Sequence, residues 1–170
     1  MLKAVGSMLL LFGCLWIGML KVRQMDKRIK TLRSMLCALE VMEREILFSM
    51  PLLEDVLNSA ARATEGATRD FLSLCSSELK NGSDAPFFEI WNRAACENLT
   101  ALTGNDLEHV LALGNVLGRY DSGEQQQALH KVQIALQQTL SNAVADRNSQ
   151  GKVYKTLSAT VGVFLVILFL

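Results

Sequence analysis

Val22, Met25, Ile29, Leu32, Leu36 and Leu39 recur at alternating spacings of three and four, with charged residues between them. Met42 and Ile46 continue the stripe more loosely. This spacing predicts one apolar face of a long helix. The helix ends at Ser49-Met50-Pro51, where Ser49 is a good N-cap and Pro51 suits the first turn of the next helix.

The pattern then predicts a run of shorter helices. PLLEDVLNSAARA has Leu52, Leu53, Val56 and Leu57 on its apolar side. Gly66 separates it from ATRDFLSLCSSELK, with a stripe of Phe71, Leu72, Leu74, Cys75 and Leu79. Asn81-Gly82-Ser83 breaks the chain, Asp84 caps, and Pro86 opens APFFEIWNRAACENL. Thr103-Gly104-Asn105 breaks again before a helix over residues 106–120. The last helix starts after Asp121-Ser122-Gly123 and carries Leu129, Val132, Leu136, Leu140 and Ala143. No segment reads as a strand. Short connections make neighbouring helices antiparallel, so the fold class is all-α, a bundle of about six helices.

Composition adds a membrane. Ala4–Leu20 is 17 residues without a charge, and Thr156–Leu170 is 15. A bilayer core takes about 20 mostly apolar residues. The second run reaches that length when Val153 and Tyr154 are counted and Lys155 snorkels its ammonium to the interface. The expected organisation is a transmembrane helix over 1–21, a bundle over 22–152 and a second transmembrane helix over 153–170. A cleaved signal peptide is the weaker reading of the N-terminus, because no small-x-small site follows the apolar run. A lipoprotein site at Cys14 is weaker too, with Phe12 and LWIGML on either side of it.

Charge sets the expected orientation. Lys21, Arg23, Lys27, Arg28, Lys30 and Arg33 follow the first apolar run; Arg147, Lys152 and Lys155 precede the second. Both basic flanks belong to the central segment. The positive-inside rule then places that segment in the cytoplasm and both short ends outside. Between Ser34 and Asp146 the chain carries 16 acidic and 7 basic residues. That balance argues against nucleic acid as a partner. It fits a solvated surface or, more sharply, a face for a basic partner.

Candidate chemistry is sparse. The sequence has no phosphate-binding Gly-rich loop, no HExxH and no GxSxG. Cys14, Cys37, Cys75 and Cys96 form no CxxC pair and read as small core residues; His109 and His130 lack ligand-spaced companions. No enzyme, cofactor or metal is expected. Glu40, Glu43 and Glu45 cluster beside Arg44, the simplest reading being a solvated face; the sharper role for Glu43 or Glu45 is an ion pair with a partner protein. Gly114 and Gly118 stand four apart in ALGNVLGRYDSGEQQQ, and each costs a helix interior about 1 kcal/mol relative to alanine. Either they admit a close neighbouring helix or the helix frays, with Gly118 near its C-cap. Asp121 then caps the last helix, and Gln125 lies in its first turn.

The pattern Leu113-Gly114-x-x-Leu117-Gly118-x-x-Asp121-x-x-x-Gln125 resembles a signature of the stage III sporulation protein AB family. Glu43-x-Glu45-Ile46 followed by Pro51-Leu52, and the closing Leu165-Val166-Ile167-Leu168, match it as well. The resemblance spans nearly the whole chain. Met50 departs from it, since threonine often precedes the proline in the family, and so does Arg119-Tyr120. The resemblance implies an integral membrane component of the channel that links mother cell and forespore, with its bundle on the mother-cell side of the outer forespore membrane. It implies a cytoplasmic domain similar to the helical domain of type II secretion and type IV pilus platform proteins. The implied partners are a secretion-type ATPase of the same operon, the other stage III sporulation channel proteins and membrane lipid. The residues to watch are then Glu43, Glu45, Pro51, Gly114, Gly118, Asp121 and Gln125. The expected function is a non-enzymatic platform coupling that ATPase to the membrane assembly. The alternative is a small membrane-anchored coiled-coil signalling or scaffold protein, a homo-oligomer with the 22–39 stripe as its seam.

Overall fold

The computed structural model describes the chain apart from Met1, Met50, Pro51, Ser83, residues 118–121 and Leu170, and apart from the side chains of residues 2–15, 17, 49, 122, 151–155, 157–159 and 161–169. Among the described residues six helices follow one another: α1 Leu2–Ser49, α2 Leu53–Arg62, α3 Ala67–Lys80, α4 Phe87–Asn98, α5 Gly104–Gly114 and α6 Ser122–Phe169. No strand occurs among the described residues. The chain divides into two compact units, residues 30–140 and residues 1–29 with 141–170.

In the unit of residues 30–140, α2 packs on α3, α3 on α4 and α4 on α5. Ser76, late in α3, donates its hydroxyl to the carbonyl of Glu54, early in α2, at 3.0 Å, so these two helices run antiparallel. The turn between them needs Gly66, whose φ of +59° is a left-handed conformation that a Cβ disfavours. The core is made of completely covered side chains from several helices: Leu32, Met35, Leu39 and Met42 of α1, Leu57 of α2, Phe71 and Leu72 of α3, Trp91 of α4 and Leu136 of α6.

Helix boundaries differ from the sequence pattern in four places. Ser49 caps nothing ahead of it: it is the last residue of α1, and α2 starts after Leu52 with no side-chain cap. Glu54 and Asp55 in the first turn of α2 complement the helix dipole in its place. Asp84 is likewise no cap, because Pro86 holds the N-cap position of α4 with φ −57° and ψ 141°, and Asp84 falls two residues outside. α5 begins at Gly104 rather than beyond the expected break. It also stops at Gly114, well short of residue 120, where Val116 and Leu117 both donate to the Leu113 carbonyl and tighten the chain into a turn.

The apolar face of α1 is also shifted. Met35 and Ala38 are completely covered, whereas Leu36 is half-buried. A two-helix seam would expose the positions beside a narrow stripe. This face is wider because α1 meets two sides of the bundle: Ser34 accepts from the Glu65 backbone N–H at 3.4 Å, and Glu43 accepts from Gln133 of α6 at 3.0 Å. Cys96 is exposed, against its reading as a core residue, since α4 buries Ile90, Trp91, Ala94 and Ala95 and the next position points elsewhere. Cys75 is buried, and Cys37 is half-buried with its thiol 3.7 Å from the Ala63 carbonyl.

In the other unit, Val22, Ile29 and Ala143 are buried, and Arg147 donates its Nε–H to Asp26 at 2.9 Å. Trp16, Met19 and Leu20 are exposed. Among the described residues no helix is long and apolar enough to cross a membrane. The side chains on which both span readings rest lie almost wholly outside the described ones.

Candidate functional site

Two of the seven residues marked by the sequence have defined surroundings, and they lie at different contacts. Glu43 is on the flank of the α1 face, with its side chain 22% exposed. Its carboxylate accepts from Gln133 Nε2 at 3.0 Å and sits 4.0 Å from His130 Nδ1, both on α6. Gln133 and His130 come three residues apart, on one side of α6, so a single carboxylate addresses a full turn of that helix. The contact pins two helices whose positions in the chain are 90 residues apart.

Gly114 closes α5 against the indole of Trp91. A Cβ built there would meet Trp91 Cδ1 at 2.5 Å and Cγ at 2.9 Å. The ring is held by three contacts. Its Nε1–H donates to the Val110 carbonyl at 2.8 Å, Phe71 meets it edge-on with centroids 4.6 Å apart, and Phe87 tilts against it at 5.6 Å. The neighbour that comes close is thus a ring, and the sequence held no signal for which residue would supply it.

Glu45 is half-buried on α1, and Gln125 is half-buried in the first turns of α6. Pro51, Gly118 and Asp121 lie outside the described residues. Among the described residues, none of these positions supplies a nucleophile with a base beside it. Among the described residues, no group of three His, Cys, Asp or Glu side chains is placed to hold a metal ion. Among the described residues the one strongly shifted group is Cys75, whose thiol is pushed up to about 12 by burial and then by the charge of Glu78, with Arg93 acting against them. A thiol held protonated at neutral pH is a poor nucleophile.

What stands out instead is apolar surface at one corner. Leu47, Phe48 and Leu52 are 51%, 82% and 70% exposed, at the end of α1 and the entry to α2. Three large apolar side chains this exposed within six residues of chain are a candidate contact surface. The sequence carried a signal for them. The buried stripe ends at Ile46, and the next two residues, both apolar, point off that face.

The comparisons bear on this arrangement as a whole. The protein family described as stage III sporulation protein AB matches residues 3–170. The stage III sporulation protein AB of Bacillus subtilis (strain 168) is 22% identical over 172 residues, covering 100% of both chains. A solved structure of a stage III sporulation protein AB superposes with a TM-score of 0.64 at 21% identity, covering 72% of this chain and 98% of the other. That likeness supports the helical fold.

Proposed function

Because the chain belongs to the stage III sporulation protein AB family, we propose that it is a non-enzymatic platform of the sporulation channel, joining a cytoplasmic ATPase to the membrane assembly. In this reading the apolar runs at 4–20 and 156–170 anchor the chain in the outer forespore membrane. The bundle faces the mother-cell cytoplasm, and the ATPase and the other channel proteins bind it there. The observation that carries the reading is the apolar corner of Leu47, Phe48 and Leu52. It adjoins Pro51 in the sequence, one of the family-pattern positions, and in the same chain Glu43 and Gly114 sit at contacts between helices. The acidic balance of the bundle supplies a field for a partner of opposite charge.

The coiled-coil alternative loses its footing. Leu32 and Leu39, which a dimer seam needs at its surface, are completely covered within one chain.

The test is a Phe48→Cys variant carrying a photoactivatable crosslinker in sporulating cells. Capture of the secretion-type ATPase is expected. Capture of no channel protein from this corner, with the variant folded and expressed, would overturn the docking role.

A further inference from the structure

A second surface feature lies between α2 and α3. Asn58, Ala61 and Arg62 of α2 and Arg69 and Ser73 of α3 line a cleft of 310 Å³. The spacing explains the cleft. Residues 58, 61 and 62 share one face of α2, and residues 69 and 73 share one face of α3. The two faces meet beside the tight turn at Gly66. Ala61, 3% exposed, leaves the floor low, and the four polar side chains rise around it.

The charge of this cleft is out of keeping with its surroundings. Residues 34–146 hold 7 basic residues against 16 acidic ones, and two of the seven meet here. No carboxylate is among the lining residues. Arg93, by comparison, is held by the Glu78 carboxylate at 2.6 Å. Arg62 sits in the last turn of α2, where a cation suits the helix dipole. Arg69 has no such reason for its place: it is the third residue of α3, the wrong end of the dipole for a cation. It is fixed by its Nε–H, which donates to the Thr64 carbonyl at 2.8 Å. That bond uses one edge of the guanidinium and leaves the terminal nitrogens to the cleft. Two guanidiniums brought to one cleft repel each other, and an anion between them reverses the sign of that term.

We propose that this cleft binds an oxyanion. Arginine forks match carboxylate and phosphate oxygens two at a time, and the Asn58 amide and Ser73 hydroxyl add neutral donors at the rim. With no aromatic or large apolar side chain in its lining to hold a base, the cleft suits one phosphoryl or carboxylate group rather than a nucleotide. The group comes either as a free anion or on the acidic segment of a protein.

The test uses the full chain in detergent micelles with two probes. One is inorganic phosphate, followed by 31P line broadening; the other is a fluorescent decapeptide of glutamates, followed by anisotropy. Saturable binding of at least one is expected, weakened about tenfold in Arg62→Gln. Lys131→Gln, a basic residue elsewhere on the bundle, is expected to bind as the parent does. Arg62 makes no structural bond among the described residues, so Arg62→Gln keeps the fold, which a thermal melt verifies. Phosphate alone binding assigns the cleft to a free anion; the peptide alone assigns it to a protein partner. Neither probe binding, or binding unchanged in Arg62→Gln, overturns the proposal.

Discussion

At Gly114 two effects oppose each other. Alanine in a helix gains about 1 kcal/mol over glycine from backbone entropy. The new Cβ would overlap Trp91 Cδ1 at 2.5 Å, against a ring held by a hydrogen bond and two aromatic neighbours. Overpacking of a rigid site costs about 1–3 kcal/mol, so Gly114→Ala is expected to lower the denaturation midpoint. An unchanged or higher midpoint would mean the indole moves freely. Thr68 presents the reverse case: it is 1% exposed, and among the described residues its hydroxyl finds no hydrogen-bond partner. Thr68→Val keeps the shape and removes the unpaired oxygen, and urea unfolding should show a gain of roughly 1 kcal/mol. Cys75 predicts a pH dependence. Its proton is held up to about pH 12 in the folded chain, against a value of 9.0 when unfolded. The unfolded state therefore releases the proton first. Cys75 contributes nothing to the pH slope below pH 9, and stability falls as pH rises from there towards 12. Cys75→Ala should flatten that part of the profile relative to the parent, and an equal slope in both would remove Cys75 as its source.

Among the helices, α1 reaches both the segment after α2, through Ser34, and α6, through Glu43. Its covered positions Leu32, Met35, Leu39 and Met42 face the inside of the bundle, and Glu43 ties its flank to α6. Leu32→Ala should cost about 2–5 kcal/mol as a cavity in a packed core. Phe48→Ser, only a short way along the same helix, should leave stability within about 0.5 kcal/mol, because an 82% exposed ring has little packing to lose. The contrast between these two variants, read by thermal melts, separates packed from unpacked apolar positions on one helix. The Asp26–Arg147 pair is 42% and 44% exposed at its two ends, and Asp26→Ala should change stability by less than about 1 kcal/mol. The stripe on α1 was legible from residue spacing. Its centre at Met35 rather than Leu36 was not, because spacing describes one helix and the width of a buried face depends on how many helices cover it.

For the whole molecule, the proposed anchoring has its own measurement. A reporter fused at residue 100 should read as cytoplasmic, and a tag after Leu170 should be reachable from outside; a cytoplasmic tag at that end would sink the two-span arrangement. The all-helical class, the helix count and the whole of α3 followed from apolar periodicity and from glycine at the breaks, since both act within a few residues of chain. The family signature was legible in the same local way. Long-range pairing was not. That Trp91 fills the space at Gly114, that Gln133 and His130 meet Glu43, and that Arg62 and Arg69 share one cleft each join residues far apart or on separate helices. Local pattern sets which face of a helix is apolar. Only packing decides which partner covers it, because several apolar faces of similar width compete and shape complementarity chooses among them.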